Sequence, residues 1–287
     1  MLAPAPLGSI SFAEEFLTPL AHALGSRHDG RDTLVLLAVG LARWVPITAL
    51  CPFLGGRLVP PPVRLALALL FAGILLPALS AGAPLPLPPA GLLLAVVLLE
   101  EVLVGLVLGL GTGLLFWGAE MGGRLLDDVR GTSTANVLIP HERVQSSLLG
   151  DFYFQLFIVL YVLAGGHRLF LAAALDSYRL LPPFAAALRL DAVGGSFVGA
   201  VGETYLLAIR LIAPALLVIV LLDVILGVAN RMAPQLDVFF LSLSLKSSLG
   251  ALIVALGLVY LPAIAHDAFR EGARWLHTTV AGLAAAG

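Results

Sequence analysis

Lysine is almost missing from this sequence: Lys246 is the only one among 287 residues. Charge of either sign is scarce. Asp, Glu, Lys and Arg together make up 12% of the chain, against roughly 25% in a soluble domain. Cysteine also occurs once, as Cys51, so no disulfide can close within the chain. Beside Pro52 in an apolar run, Cys51 reads as a small buried hydrophobe. The six histidines are scattered without ligand spacing, so neither a metal nor a cofactor is expected. A net charge of −2 gives no reason to expect a nucleic-acid partner. No Gly-x-Ser-x-Gly elbow, no phosphate loop ending in Gly-Lys-Ser/Thr and no His-Glu-x-x-His helix is present, and His141-Glu142 stops short of the last. The chain is therefore not expected to be an enzyme. The first residues, "MLAPAPLGSISFAEEF", lack a basic start and an apolar stretch of adequate length, so no cleavable leader is expected.

What the chain has instead is apolar length. Hydrophobic residues make up 60%, and the mean hydropathy is +1.02. Six oily segments stand out, at 33–54, 63–80, 90–119, 148–165, 201–229 and 238–265. Each is long enough, or nearly so, to cross about 30 Å of hydrocarbon. None alternates as a barrel strand does, so each must satisfy its own backbone as a helix. The expected fold is all-α, a polytopic membrane-type helical protein. Between the segments lie "LGGRLVPPP" (54–62), "APLPLPP" (83–89), a polar loop (123–147), an amphipathic stretch (166–200) and a short Pro234–Gln235 break. A tail from 266 to 287 carries Asp267, Arg270, Glu271 and Arg274 and suits an interfacial helix.

Charge placement gives no orientation. With six alternating crossings, one side holds Arg27, Arg31, Arg168, Arg179, Arg189, Arg270 and Arg274. The other holds Arg57, Arg64, Arg124, Arg130, Arg143 and Arg231. That balance lacks the cytoplasmic excess of an ordinary inner-membrane protein. Some oily segments are then expected to be buried against other subunits instead of facing lipid.

Charges inside the oily runs carry most of the information. They are Arg43, Glu100, Glu101, Arg210, Asp223 and Lys246. Such residues face a bundle interior or a cavity, or snorkel to the surface. Glu100 and Glu101 point about 100° apart on a helix, so they cannot share one narrow face. Asp223 and Lys246 are equidistant from the Pro234–Gln235 junction. If 201–229 and 238–265 form an antiparallel hairpin turning there, both lie about 10–17 Å from the turn. They can pair directly, or both line a polar seam shared with a neighbour. Gly105, Gly109 and Gly113, repeated by Gly118 and Gly122, form a smooth stripe for close packing, within the chain or against another. The loop 123–147 holds small, permissive, polar residues, suited to a solvated connector or to a segment that enters and closes a cavity.

The stretch "NRMAPQLDVFFLSLSLK" resembles a specific family pattern: Asn-Arg-x-x-Pro-Gln-x-x-x-Phe, then an apolar run with a lysine. Supporting pieces are "ARWVPITALCPFLGGRLVPPPVRLALAL", "GAEMGGRLLDDVRG" and "GGHRLFLAAALDSYRLLP". On these the chain resembles the SctT/FliR family of type III secretion and flagellar export, over most of its length. "DDVRG" looks closer to the virulence branch than to the flagellar one.

The resemblance implies an inner-membrane, multi-pass subunit of an export gate, with bent helical hairpins packed among SctR-like and SctS-like subunits. An SctU-like neighbour would lie near the entrance, and unfolded secreted proteins would be the cargo. Part of the assembly would stand above the bilayer plane. The implied organisation is an SctR-like part (1–200) with a plug loop (123–147), an SctS-like hairpin (201–265) and a tail (266–287). Arg130, Gly131, Thr132, Ser133, Thr134, Ala135 and Asn136 would form the plug core. Arg43, Glu100, Glu101, Asp223, Arg231, Pro234, Gln235 and Lys246 would supply buried charge or subunit contacts. The alternative is a proton-coupled transporter of a small solute, using the intramembrane carboxylates as a relay.

Overall fold

The computed structural model describes residues 30–56, 59–82, 91–131, 147–184, 190–233, 235 and 238–284. Those residues form eight helices and no strand. In chain order they are α1 (Gly30–Leu50), α2 (Pro61–Gly82), α3 (Leu92–Val129), α4 (Leu148–Leu163), α5 (Gly166–Leu180), α6 (Leu190–Met232), α7 (Val238–Gly257) and α8 (Leu261–Ala284). Within α1, α2, α3, α6 and α7 there are runs long and apolar enough to cross a membrane. The bent pair α4–α5 would make a sixth span, with a 75° bend. Its break is local: the Gly165 N–H caps Val162 at 3.1 Å, and Gly165 has φ +76, a conformation that favours glycine.

By contacts the chain divides into two compact units. The first draws on Met1–Gly113, Leu171–Gly194 and Leu276–Gly287. In it α1 packs on α2 and on the first part of α3. Leu36, Val39, Arg43 and Ile47 are buried along one stripe of α1, at the three- and four-residue steps of a helix face. On α2 the buried stripe is Ala68, Ala72, Leu76 and Leu79. Its small residues admit a close approach, since a Cβ on Gly40 would stand 3.1 Å from the Ala72 Cβ. Trp44 stacks on Phe71 with ring centres 4.3 Å apart.

The second unit draws on Leu114–Phe170 and Gly195–Trp275. Its core is an aromatic cluster in edge-to-face contacts. Phe116 meets Tyr161 at 5.3 Å, and Phe269 meets Tyr161 at 5.0 Å and Phe157 at 5.8 Å. Phe269 lies on α8, so the apolar stripe expected to rest on a membrane interface is used for packing within the chain. Its charged residues Asp267, Arg270 and Arg274 lie on the exposed side.

The expected boundaries change in three places. The third oily segment, read as 90–119, is a helix of 38 residues ending at Val129. Residues 123–129 of the expected loop are therefore its last two turns. The fifth, read as 201–229, belongs to a helix of 43 residues that begins at Leu190 and absorbs part of the amphipathic stretch. In both, polar residues continue the helix because the backbone ladder costs nothing extra in a water-accessible or protein-packed end. The sixth oily segment, read as 238–265, breaks after Gly257, and its last residues open α8 at Leu261.

Candidate functional site

In the first unit Arg43 and Glu101, two charges on oily helices, form one closed node. Arg43 Nε donates to Glu101 Oε2 at 2.6 Å, and Nη2 donates to Oε1 at 2.9 Å. Arg43 Nη1 donates to Ser177 Oγ at 3.0 Å, and Nη2 also to the Leu181 carbonyl at 2.9 Å. The guanidinium lies 3.9 Å from the centre of the Tyr178 ring. Arg43 and Glu101 are both buried. This answers the snorkelling alternative for Arg43: its charge is neutralised inside the protein, fork to fork, by a carboxylate of another helix.

Glu100 takes no part in that node. It is half-buried on the neighbouring face of α3, and no described cation pairs with it. The exposed side chains Leu93, Val96 and Leu99 surround its side of the helix.

The glycine stripe is used within the chain, and it divides. A Cβ on Gly105 would collide with the Arg43 carbonyl, and one on Gly109 would stand 3.0 Å from the Pro46 carbonyl, so this half receives α1. Gly113 is buried on the same helix. In the second unit, a Cβ on Gly118 would stand 3.0 Å from the Thr204 carbonyl, and one on Gly122 equally close to the Ala208 carbonyl, so that half receives α6.

The base of the expected plug is pinned at both ends. Asp127, in the last turn of α3, accepts from Ser147 Oγ at 2.7 Å and from the Leu149 N–H at 2.9 Å. Ser147 caps α4, its Oγ accepting from the Gly150 N–H at 2.9 Å. One carboxylate therefore satisfies the start of α4 and complements its positive end. Arg130 and Gly131 form the turn that follows α3, with Gly131 at φ +83. Thr132, Ser133, Thr134, Ala135 and Asn136 lie outside the described residues.

In the hairpin the structure brings Asp223 and Lys246 together, with Lys246 Nζ 2.5 Å from Asp223 Oδ1. The lysine side chain is 18% exposed and the aspartate 47%, so Asp223 is not hidden inside this chain. Arg231 and Gln235 are exposed, and Pro234 lies outside the described residues. Arg210 is also exposed on α6.

Sequence reasoning missed Ser177, Asp127 and the Ser247–Gly250 turn of α7. Ser177 stood inside a quoted motif without a role. Asp127 opens "DDVRG", and only the recognition of Ser147 as a helix cap could have pointed to it.

Comparison with known proteins agrees with this picture. The family described as "Bacterial export proteins, family 1" matches residues 34–272. Secretion system apparatus protein SsaT of Salmonella typhimurium is 34% identical over 56% of this chain and 62% of its own length. The chain thus spans somewhat less than two thirds of that relative. Flagellar biosynthetic protein FliR of Caulobacter vibrioides is 28% identical over 82% of this chain and 92% of its own length. Surface presentation of antigens protein SpaR of Salmonella typhimurium is 29% identical over 76% of this chain and 81% of its own. One of these relatives is named for a secretion system and another for flagellar biosynthesis. With its family match and its long apolar helices, the chain belongs to the bacterial export proteins, family 1, and is a multi-pass protein of the bacterial inner membrane.

Proposed function

We propose that this chain is a structural and gating subunit of a type III export gate and forms part of its protein-conducting pore. Its partners are SctR-like, SctS-like and SctU-like subunits, and its cargo is unfolded secreted protein. Its mechanism is assembly and displacement of a plug, with no chemical step. The observation that carries this reading is the apolar face that the hairpin α6–α7 leaves exposed. Leu217, Leu221, Val224, Val228, Phe240 and Leu256 are all exposed on it in the single chain, beside the Asp223–Lys246 pair. Lipid alone suits the leucines but not a half-exposed carboxylate, whereas a protein neighbour with polar groups suits both. Helix length supports the same reading. At 43 residues α6 is about 65 Å long, twice the hydrocarbon thickness, so part of it must lie outside the bilayer.

In this reading residues 201–265 act as the SctS-like hairpin, 1–200 as the SctR-like part and 266–287 as the tail. Glu100, on an apolar face with no described cation beside it, meets a cation of a neighbouring subunit. Arg130 to Asn136 form the plug core, with Arg130 at its base.

Co-expression tests the assembly. The chain alone should be unstable in detergent and become well behaved with SctR-like and SctS-like partners. Full stability alone, with accumulation of a small solute, would establish the transporter instead. For the plug, deletion of 130–136 should raise ion leakage through the assembled complex, and unchanged conductance removes that assignment.

A further inference from the structure

Apolar packing does little to place α7. Among its described side chains only Gly250 and Val254 are buried. Polar contacts flank it on two sides. Lys246 reaches Asp223 on α6. The next residue, Ser247, is reached by Arg130, which follows α3. Arg130 Nη2 donates to the Ser247 carbonyl at 2.9 Å and lies 3.4 Å from Ser247 Oγ. That carbonyl is in mid-helix, and its second lone pair accepts the arginine. Arg130 Nη1 lies 3.5 Å from Asp127 Oδ1, while the other oxygen of Asp127 holds the start of α4. Gly250, three residues beyond Ser247, supplies the space. A Cβ there would stand 2.7 Å from both Cδ and Nε of Arg130. The stem and fork of the arginine therefore fill a recess that any larger residue at 250 would occupy.

We infer that Arg130 is the docking residue of α7, with Gly250 as its recess and Asp127 as the residue that aims it. The four charges Asp223, Lys246, Arg130 and Asp127 balance to zero, so the contact leaves no net charge beside the apolar hairpin. Two consecutive residues of α7 are then held from two flanks, one by α6 and one by the end of α3. The ends of α3 and α4 and the middle of α7 become one connected polar chain: a displacement of α7 must break the contact that Asp127 aims. A planar fork is needed to lie in the recess and reach the carbonyl, which a lysine does not provide. This inference concerns the fold of the second unit and does not depend on the export role.

Spin labels test it on the full chain in lipid nanodiscs. Leu148→Cys at the start of α4 and Leu252→Cys on α7 are both exposed positions, and native Cys51 is buried. The parent should give one narrow distance distribution. Arg130→Ala and Gly250→Val should each broaden it, and together no more than either alone. Arg130→Lys should behave as Arg130→Ala, and Ser247→Ala as the parent. An unchanged distribution in both single variants overturns the inference, as do effects that add. Full rescue by lysine also overturns it, because charge and not the fork would then hold α7. Arg130 sits at a helix end, so its variants remain informative if Gly250→Val fails to fold.

Discussion

Arg43 and Glu101, 58 residues apart in sequence and on different helices, face each other through two parallel hydrogen bonds of 2.6 and 2.9 Å. Removing either partner leaves a buried charge alone, whereas removing both leaves a space for apolar packing. Arg43→Met or Glu101→Leu alone should destabilise the folded chain by about 3–5 kcal/mol, and the double variant should recover much of that loss. Thermal unfolding of the nanodisc-embedded protein, followed by tryptophan fluorescence, measures it. Equal losses in single and double variants would show that the pair contributes nothing beyond its separate residues.

Glycines on these helices should separate into two classes. Gly105 abuts the backbone of Arg43, whereas Gly73 on α2 has nothing within 4 Å of an added Cβ. Gly105→Ala must push two helices apart, because a carbonyl cannot rotate away as a side chain can. It should cost more than about 1 kcal/mol, by the general penalty of overpacking. Gly73→Ala should raise stability by about 0.5–1 kcal/mol, since alanine costs the helix less entropy. The midpoint of thermal unfolding should move in opposite directions for the two.

Asp223 and Lys246 are in contact across the hairpin, so which of the two helices carries which charge is immaterial to the pair. Asp223→Lys or Lys246→Asp alone should lower the amount of intact chain in membranes. The double exchange should restore it. Immunoblotting of membrane fractions reads the outcome, and a double variant no better than the singles would mean that a neighbour, not the pair, uses these charges.

The single thiol should be inert. Burial pushes the Cys51 pKa far above the usual thiol range, because the thiolate would lose its hydration. Maleimide should label the native chain negligibly even at pH 8.5, and quantitatively after denaturation. Rapid labelling in the native state would show that the turn after α1 opens.

Much of this molecule is legible in its sequence. The oily runs announce helices because no other backbone form satisfies itself in hydrocarbon. The matched depth of Asp223 and Lys246 follows from counting residues away from one turn. The small-residue stripe on α3 announces close packing. The partner of each stripe was not legible: Gly105 and Gly122 look alike, yet one receives α1 and the other α6. The partner of Arg43 was not legible either, because two adjacent glutamates were equally available and only helix rotation chose Glu101.

The sequence by itself determined helix, membrane and family, since each rests on local periodicity, apolar length or a contiguous motif. Tertiary structure decided where α3 ends, that Asp127 closes the base of the 131–146 connection, and that Arg130 reaches α7. Those outcomes depend on which side chains meet across 20 to 117 positions of chain. Local sequence carries no record of such distances, because the contacts form only once the helices have taken their rotations and crossings.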